Sequence, residues 1–439
     1  LIGYTEKLTE KDLKKNKGLI NYSNLEVGKS GLEKFFDNKL RGKFGRRREE
    51  VNARGKIVTS NLYENPKSGE NLNISIDLNI QSYALSRLEK GNAKKNSKKN
   101  PETGSIVVMD VNNGQLLCCV SSPNFNPNMF SRGIKSKEWK SLIDNKKAPL
   151  LFRAVSGLYS PGSTIKMAVA LAALEAGVIG YDTKFFCNGV KEYGNMKFHC
   201  WYKHGHGNIN LSQAIERSCD VFFYELGLKV GIEKISVMLK KLGLSSDIDL
   251  ELNEIRKGLV PTKKWKLETK GTKWTPGETI NSSIGQGYML SSPVELATMV
   301  ARIANSKNLV EPTLLTNSKK SFSKLDINLN HLNYIKKAMH NVVNSEFGTA
   351  YKSKLNLADI KMAGKTGTVQ VIRISEEERE KGITKNKDRE WKKRDHALFI
   401  GYAPIQKPKY AICVIVEHGG SGSSIAAPIA RDIMKKLLI

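Results

Sequence analysis

Ser163 and Lys166 stand three positions apart, directly behind Tyr159-Ser160-Pro161-Gly162, and together they suit nucleophilic acyl transfer. A serine hydroxyl keeps its proton at neutral pH and needs an adjacent base to become a nucleophile. Residues three apart share a helix face, so the spacing predicts that the Lys166 amine reaches the Ser163 oxygen. Pro161 and Gly162 suit a turn that opens such a helix. The helix start offers unpaired N–H groups and partial positive charge to a developing oxyanion. Ser218-Cys219-Asp220 follows 55 residues after Ser163, and Lys365-Thr366-Gly367-Thr368 another 147 residues on. Each piece has a plain alternative. Ser-x-x-Lys is common in long chains, a Ser-x-Asp triplet alone reads as a helix cap, and Lys-Thr-Gly alone reads as a strand end. In this order they supply a nucleophile, two amines, a second hydroxyl and a carboxylate.

The elements that must position these groups follow from periodicity. Residues 72–77 read as a short strand with Leu72, Ile74 and Ile76 inward, and residues 78–90 as an amphipathic helix with Ile80, Tyr83, Ala84 and Leu88 on one face. Residues 105–110 and 115–121 are strands joined by Asn112-Asn113-Gly114, a strong hairpin signal. The helix after Ser163 is apolar nearly all round (Ile165, Met167, Val169, Leu171, Leu174) and is therefore expected at the domain centre. Residues 211–230 are predicted as a helix interrupted at Ser218, and residues 293–304 as another helix following Gly285-Gln286-Gly287. Strands are expected at 362–370, 397–402 and 410–417, and a final helix at 428–438. Charged loops are expected at 90–101 and 375–393. Residues 1 to about 65 read as basic and polar, with a helical patch at 31–40. Strands at both ends with helices between them indicate an α+β domain, an antiparallel sheet with helices on its faces.

The 439 residues are long enough for two or three domains. An excess of 71 Lys and Arg over 43 Asp and Glu gives a net charge of +28. Such a surface suits an anionic membrane, an acidic substrate or nucleic acid, but compositional bias toward Lys and Asn accounts for most of it. No aromatic-interleaved basic motif accompanies it, which sets nucleic acid aside. No apolar run is long enough to span a membrane. The chain starts at Leu1 rather than Met, so a fragment whose start is missing is expected, and the lack of an anchor says nothing about a longer protein.

The six cysteines divide into two groups. Cys118, Cys119 and Cys413 fall within predicted strands, where buried apolar thiols are the default. Cys187, Cys200 and Cys219 cluster around His199, His204 and His206. Cys187, Cys200, His206 and Cys219 offer the four soft or borderline ligands that tetrahedral zinc takes. Their spacing is not that of a zinc finger, and His199 and His204 are rival nitrogen ligands. A Cys187–Cys200 disulfide is the competing arrangement.

The three catalytic segments together resemble the signature of penicillin-interacting serine enzymes, with Asp220 where Asn is usual. The wider chain resembles the penicillin-binding protein 2 family, the class B peptidoglycan D,D-transpeptidases of cell elongation. The similarity rests on Gly28-Lys29-Ser30-Gly31-Leu32-Glu33 with Leu40-Arg41-Gly42, on the hairpin ending in Ser121-Ser122-Pro123-Asn124-Phe125, on Ile284-Gly285-Gln286-Gly287-Tyr288, and on the stretch from His396 through Gly401 to Pro404. The resemblance implies a transpeptidase domain at 66–439, with an antiparallel sheet, helices on both faces and an all-helical lobe. It implies the end of a non-catalytic pedestal at 1–65.

By the same resemblance Ser163 is the acylated nucleophile, Lys166 the base, Ser218 a proton relay and Asp220 its orienting partner. Lys365, Thr366, Gly367 and Thr368 form the substrate strand, with Lys365 offering charge near the substrate carboxylate and the threonine hydroxyls binding it. The backbone N–H groups of Ser163 and Thr368 form the oxyanion hole. The resemblance also favours structural zinc on Cys187, Cys200, His206 and Cys219. It implies as partners the D-alanyl-D-alanine stem pentapeptide, β-lactams, an elongation glycosyltransferase and, through a missing N-terminal anchor, the bacterial inner membrane, with the catalytic domain in the periplasm. The alternatives are a D,D-carboxypeptidase or β-lactamase-like hydrolase on the same fold, or a non-enzymatic β-lactam sensor or scaffold.

Overall fold

The computed structural model describes residues 1–15, 25–90, 102–131, 133–318, 320–372 and 389–439. The strands, in chain order, are β1 (Thr5–Lys7), β2 (Glu26–Gly28), β3 (Arg46–Val51), β4 (Ile57–Glu64), β5 (Gly104–Asp110), β6 (Leu116–Ser122), β7 (Lys184–Cys187), β8 (Val190–Tyr193), β9 (Met196–His199), β10 (Gly207–Asn210), β11 (Ala363–Val369), β12 (His396–Ala403) and β13 (Tyr410–Val416).

Five of them form the central sheet in the order β11-β12-β13-β5-β6, antiparallel throughout. Every residue of β13 is buried. Successive side chains on a strand point to opposite faces, so both faces of the sheet are covered. The helices Leu78–Lys90 and Ala427–Leu438 pack on the sheet and on each other, and the helix Pro293–Asn305 packs against β5, β12 and β13. The predicted β5–β6 hairpin is present. Asp110 Oδ1 accepts the N–H groups of Asn112 at 2.8 Å and Asn113 at 3.3 Å, which closes the turn.

The helix Lys166–Glu175 is buried from Lys166 through Leu174. It packs against the helices Asp220–Val230, Ile232–Lys241 and Leu329–Asn344. Burying each large apolar side chain here contributes roughly 1.5–3 kcal/mol relative to exposure, so the helix beneath the nucleophile is a rigid support. The lobe around it is mainly helical but also holds two small antiparallel pairs, β7 with β10 and β8 with β9.

The strand expected at 72–77 is a single bridge between Ile74 and Leu315. Ile74 and Ile76 do pack against the core, so the alternation is real, but among the described residues the pairing with 314–316 stops at this one bridge and does not extend into a ladder. In the first 74 residues β1 pairs with β2, and β3 pairs with β4 as a ribbon. All residues of β3 and β4 are exposed. A ribbon without a buried face has no inside–outside period, which is why sequence periodicity missed it. The helical patch at 31–40 is present as two short helices, Gly31–Phe35 and Asp37–Arg41. The charged loops expected at 90–101 and 375–393 fall largely outside the described residues.

Candidate active site

Ser163 lies in a 3-10 turn, Gly162–Ile165, that leads into the Lys166 helix. The turn is fixed from two sides. Gly162 has φ +56° and donates its N–H to Gly285 O at 2.9 Å. A Cβ on Gly162 would sit 2.6 Å from Val369 Cγ2, and one on Gly285 would sit 2.3 Å from Gly162 O. Both positions therefore require glycine, for conformation and for space. Thr164 Oγ1 donates to Pro161 O at 2.7 Å and completes the turn. Ser163 is left half-buried at its edge.

Lys166 is fully buried. Its Nζ donates to Asp220 Oδ1 at 2.8 Å, Ser218 O at 3.0 Å and Ser218 Oγ at 3.4 Å, and stands 5.2 Å from the centre of the Phe223 ring. This corrects the simple picture of serine and lysine on one α-helix joined by a direct hydrogen bond. Ser163 precedes the α-helix, and the lysine directs its bonds to the second motif. Residues three apart eclipse in a 3-10 turn, so Lys166 stays on the Ser163 side while its amine reaches onward.

Ser218 occupies an unusual backbone position. The helix Leu211–Glu216 ends with Ser218 N–H bonded to Ile215 O at 3.2 Å and Cys219 N–H bonded to Ala214 O at 2.9 Å. That is the Schellman pattern, whose left-handed residue is commonly glycine. Here it is Ser218, at φ +56°. The next helix, Asp220–Val230, begins at once. The abrupt reversal delivers Ser218 Oγ to the two lysines and puts Asp220 in the first turn of the second helix. Asp220 Oδ2 accepts the Trp201 N–H at 2.9 Å.

Lys365 on β11 is also fully buried. Its Nζ donates to Ser218 Oγ at 2.8 Å and to Thr366 O at 3.1 Å. Burial and, second, the neighbouring Lys166 side chain push this amine well below its ordinary value, against the Asp220 carboxylate, which raises it. The expectation that Lys365 offers charge to a substrate carboxylate gains no support from this geometry, because the side chain turns to Ser218.

β11 is an edge of the central sheet. A Cβ on Gly367 would sit 3.0 Å from Thr164 Cγ2 and 3.5 Å from Pro161 O, so the nucleophile turn lies against the middle of this strand. Thr366 and Thr368 share the opposite strand face from Lys365 and Gly367. Thr366 Oγ1 is bonded to Thr349 Oγ1 at 2.7 Å, and Thr368 Oγ1 accepts the Gly422 N–H at 3.2 Å. Thr349 and Phe223 carried no motif in the sequence. Only the fold brings them to the site.

The cysteine group gathers beside Ser218. One ligand atom from each of Cys187, Cys200, His206 and Cys219 lies within 4.8 Å of the others. His206 Nδ1 is 3.7 Å from Cys187 Sγ and 3.6 Å from Cys200 Sγ. Such separations are those of neighbouring vertices of a tetrahedron with metal bonds of about 2.0–2.3 Å. Two of the sulfurs cap the start of the helix Asp220–Val230: Cys200 Sγ accepts Asp220 N–H, and Cys219 Sγ accepts Phe222 N–H, both at 3.4 Å. A helix start favours the thiolate that a metal needs. The residues therefore fit zinc. The rival histidines, His199 and His204, are exposed and outside this group. No disulfide joins any two of the six cysteines in this structure.

A serine on a turn above a buried helix, with lysines converging on a second serine, defines the class of penicillin-interacting serine acyltransferases. A family model described as the penicillin binding protein transpeptidase domain matches residues 104–435, and one described as the penicillin-binding protein dimerisation domain matches residues 1–74. The chain belongs to the penicillin-binding protein transpeptidase family. It is 33% identical over 456 aligned residues to peptidoglycan D,D-transpeptidase MrdA of Salmonella typhimurium, covering all of this chain and 70% of that protein. Among solved structures, penicillin-binding protein 2 of Helicobacter pylori in complex with MreC superposes with a TM-score of 0.87 at 34% identity, covering all of this chain and 77% of that one. Penicillin-binding protein 2 of Pseudomonas aeruginosa in complex with WCK 5153 gives 0.83 at 31% identity, covering all of this chain and 88% of that one. The chain is an enzyme of this kind, a serine D,D-transpeptidase that cross-links peptidoglycan stem peptides.

Proposed function

We propose that Ser163 carries the acyl-enzyme of this cross-linking reaction and that the groups around Ser218 move its proton. The observation that carries the reading is the convergence of Lys166 and Lys365 on Ser218 Oγ, at 3.4 Å and 2.8 Å, beside the turn that holds Ser163. In the first half-reaction Ser163 Oγ bonds to the carbonyl carbon between the two D-alanines, and its proton goes to the Lys166 amine. Ser218 passes that proton to the departing amine as the peptide C–N bond breaks and D-alanine leaves. In the second half-reaction the amine of a neighbouring stem attacks the ester carbonyl carbon and loses a proton, the C–O bond to Ser163 breaks as the new amide forms, and that proton returns to Ser163 Oγ. Asp220 orients Lys166 through their 2.8 Å contact. β11 takes the extended stem as an added strand. The backbone N–H groups of Ser163 and Thr368 would hold the oxyanion, a contribution typically about 3 kcal/mol per donor. A β-lactam acylates Ser163 because its amide stands in for the D-alanyl-D-alanine bond.

Cys187, Cys200, His206 and Cys219 would hold a structural zinc ion, which when bound supplies a rigid cross-link rather than a reactive centre. Cys219 lies between Ser218 and Asp220 in sequence, so immobilising its sulfur immobilises both neighbours. For localisation we infer a catalytic domain in the periplasm, as suits a peptidoglycan enzyme. No helix among the described residues is long and apolar enough to cross a membrane. A relative solved in complex with MreC supports a protein partner, and a relative within a peptidoglycan synthase complex that coordinates polymerization and crosslinking supports one that polymerises glycan.

The test is mass spectrometry after exposure to penicillin. A covalent adduct confined to the Ser163 peptide, absent from Ser163→Ala, is expected. An adduct on another residue, or rapid turnover of the drug instead of a lasting acyl-enzyme, would overturn the assignment.

A further inference from the structure

We propose that Thr349 is a positioning residue for substrate recognition, one that sets the direction of the Thr366 hydroxyl proton. This rests on the transpeptidase reading above and on the role that the family resemblance implies for Thr366 and Thr368, whose hydroxyls receive the carboxylate of the donor stem.

A carboxylate only accepts hydrogen bonds, whereas a threonine hydroxyl has one proton to donate and lone pairs to accept with. For both threonines to bind a carboxylate, each must turn its proton toward it and take any other hydrogen bond as an acceptor. Thr368 already meets this condition: its Oγ1 accepts the Gly422 N–H at 3.2 Å, which leaves its proton for the substrate. Thr366 has a hydroxyl partner instead, Thr349 Oγ1 at 2.7 Å, and either oxygen can be the donor. With a carboxylate bound, one direction satisfies every proton: Thr349 donates to Thr366, and Thr366 donates to the carboxylate. The reverse direction leaves the carboxylate facing a lone pair. Thr349 thus plays for Thr366 the part that the Gly422 amide plays for Thr368.

Thr349 is held for this task. It follows the helix Leu329–Asn344, and its backbone N–H donates to Glu216 O at 3.3 Å. Glu216 is the last residue of the helix that presents Ser218. The loop bearing Thr349 is therefore tied to the same element as the proton relay. Thr366 itself is buried, with the Thr349 hydroxyl as its partner.

The experiment compares acylation rates of wild type, Thr349→Val and Thr349→Ser with two probes, benzylpenicillin and its carboxyl methyl ester. Thr349→Val keeps the shape and loses the hydroxyl, while Thr349→Ser restores it. The expected result is a five- to tenfold slower acylation of Thr349→Val by benzylpenicillin, near-wild-type rates for Thr349→Ser, and a clearly smaller difference among the three with the ester, whose neutral carbonyl accepts a weaker hydrogen bond than a carboxylate. Equal slowing by both probes would assign Thr349 a merely structural role and overturn the proposal. Unchanged acylation of Thr349→Val by benzylpenicillin would also overturn it, while leaving the Ser163 assignment standing. A wild-type protein that no probe acylates at Ser163 would overturn both.

Discussion

Lys365 Nζ and Ser218 Oγ are 2.8 Å apart although 147 positions separate them in the chain. The contact joins the edge strand of the sheet to the junction between two helices of the helical lobe. The site exists only where these two parts of the domain meet.

Ser218 itself separates backbone strain from chemistry. A residue other than glycine in the left-handed region costs about 1–2 kcal/mol. Ser218→Ala and Ser218→Gly both lose the hydroxyl, so the difference between them reports the backbone alone. Ser218→Gly is expected to be about 1 kcal/mol more stable than Ser218→Ala, with acylation by penicillin severely slowed in both. Urea unfolding and acylation kinetics read the two effects. Equal stability of the two variants would show that the left-handed conformation is not held in solution.

The depressed Lys365 amine predicts a pH dependence of stability. Below its folded pKa both the native and unfolded chains hold the proton, and the native state bears the full cost of burying a cation. As the pH rises through that value the native site releases its proton while the unfolded chain keeps its own. The cost is relieved until the unfolded value, 10.5, is reached. Stability relative to Lys365→Met should therefore rise with pH over that interval, by up to about 1.4 kcal/mol per pH unit. Urea unfolding of both proteins at a series of alkaline pH values checks this. A difference that stays flat, or falls, would show that Lys365 remains charged when buried.

Metal analysis of protein purified without chelator should find about one zinc per chain. The metal should be lost in Cys219→Ser and His206→Ala, and retained in His199→Ala and His204→Ala. Its removal should lower the melting temperature and slow acylation, because Cys219 joins the cluster to Ser218 and Asp220. Metal-free protein lacking two titratable thiols at Cys187 and Cys200 would instead establish the disulfide.

Most of the chemistry was legible as residue types at fixed spacings. Pro161-Gly162-Ser163 with Lys166, the triplet at Ser218 and the strand at Lys365 each carried a local signature, and apolar periodicity placed the helices and strands that bear them. Local reading also foresaw a break in the helix at Ser218 and the hairpin at Asn113-Gly114. It missed the exposed β3–β4 ribbon, because a strand with no buried face leaves no period. It turned the single bridge at Ile74 into a strand, because alternation records burial and not the presence of a ladder partner.

The sequence by itself determined which groups are available and on which elements they ride, because helix and strand periods, turns and caps are set by neighbours along the chain. The tertiary structure alone decided where each group points. It directed the Lys166 amine to Asp220 and Ser218, aimed Lys365 at Ser218 instead of at solvent, gathered His206 rather than two nearby histidines beside the three cysteines, and brought unannounced Thr349 against Thr366. The physical reason is that hydrogen-bond direction and burial depend on contacts between segments far apart in sequence, and no spacing along one segment encodes them.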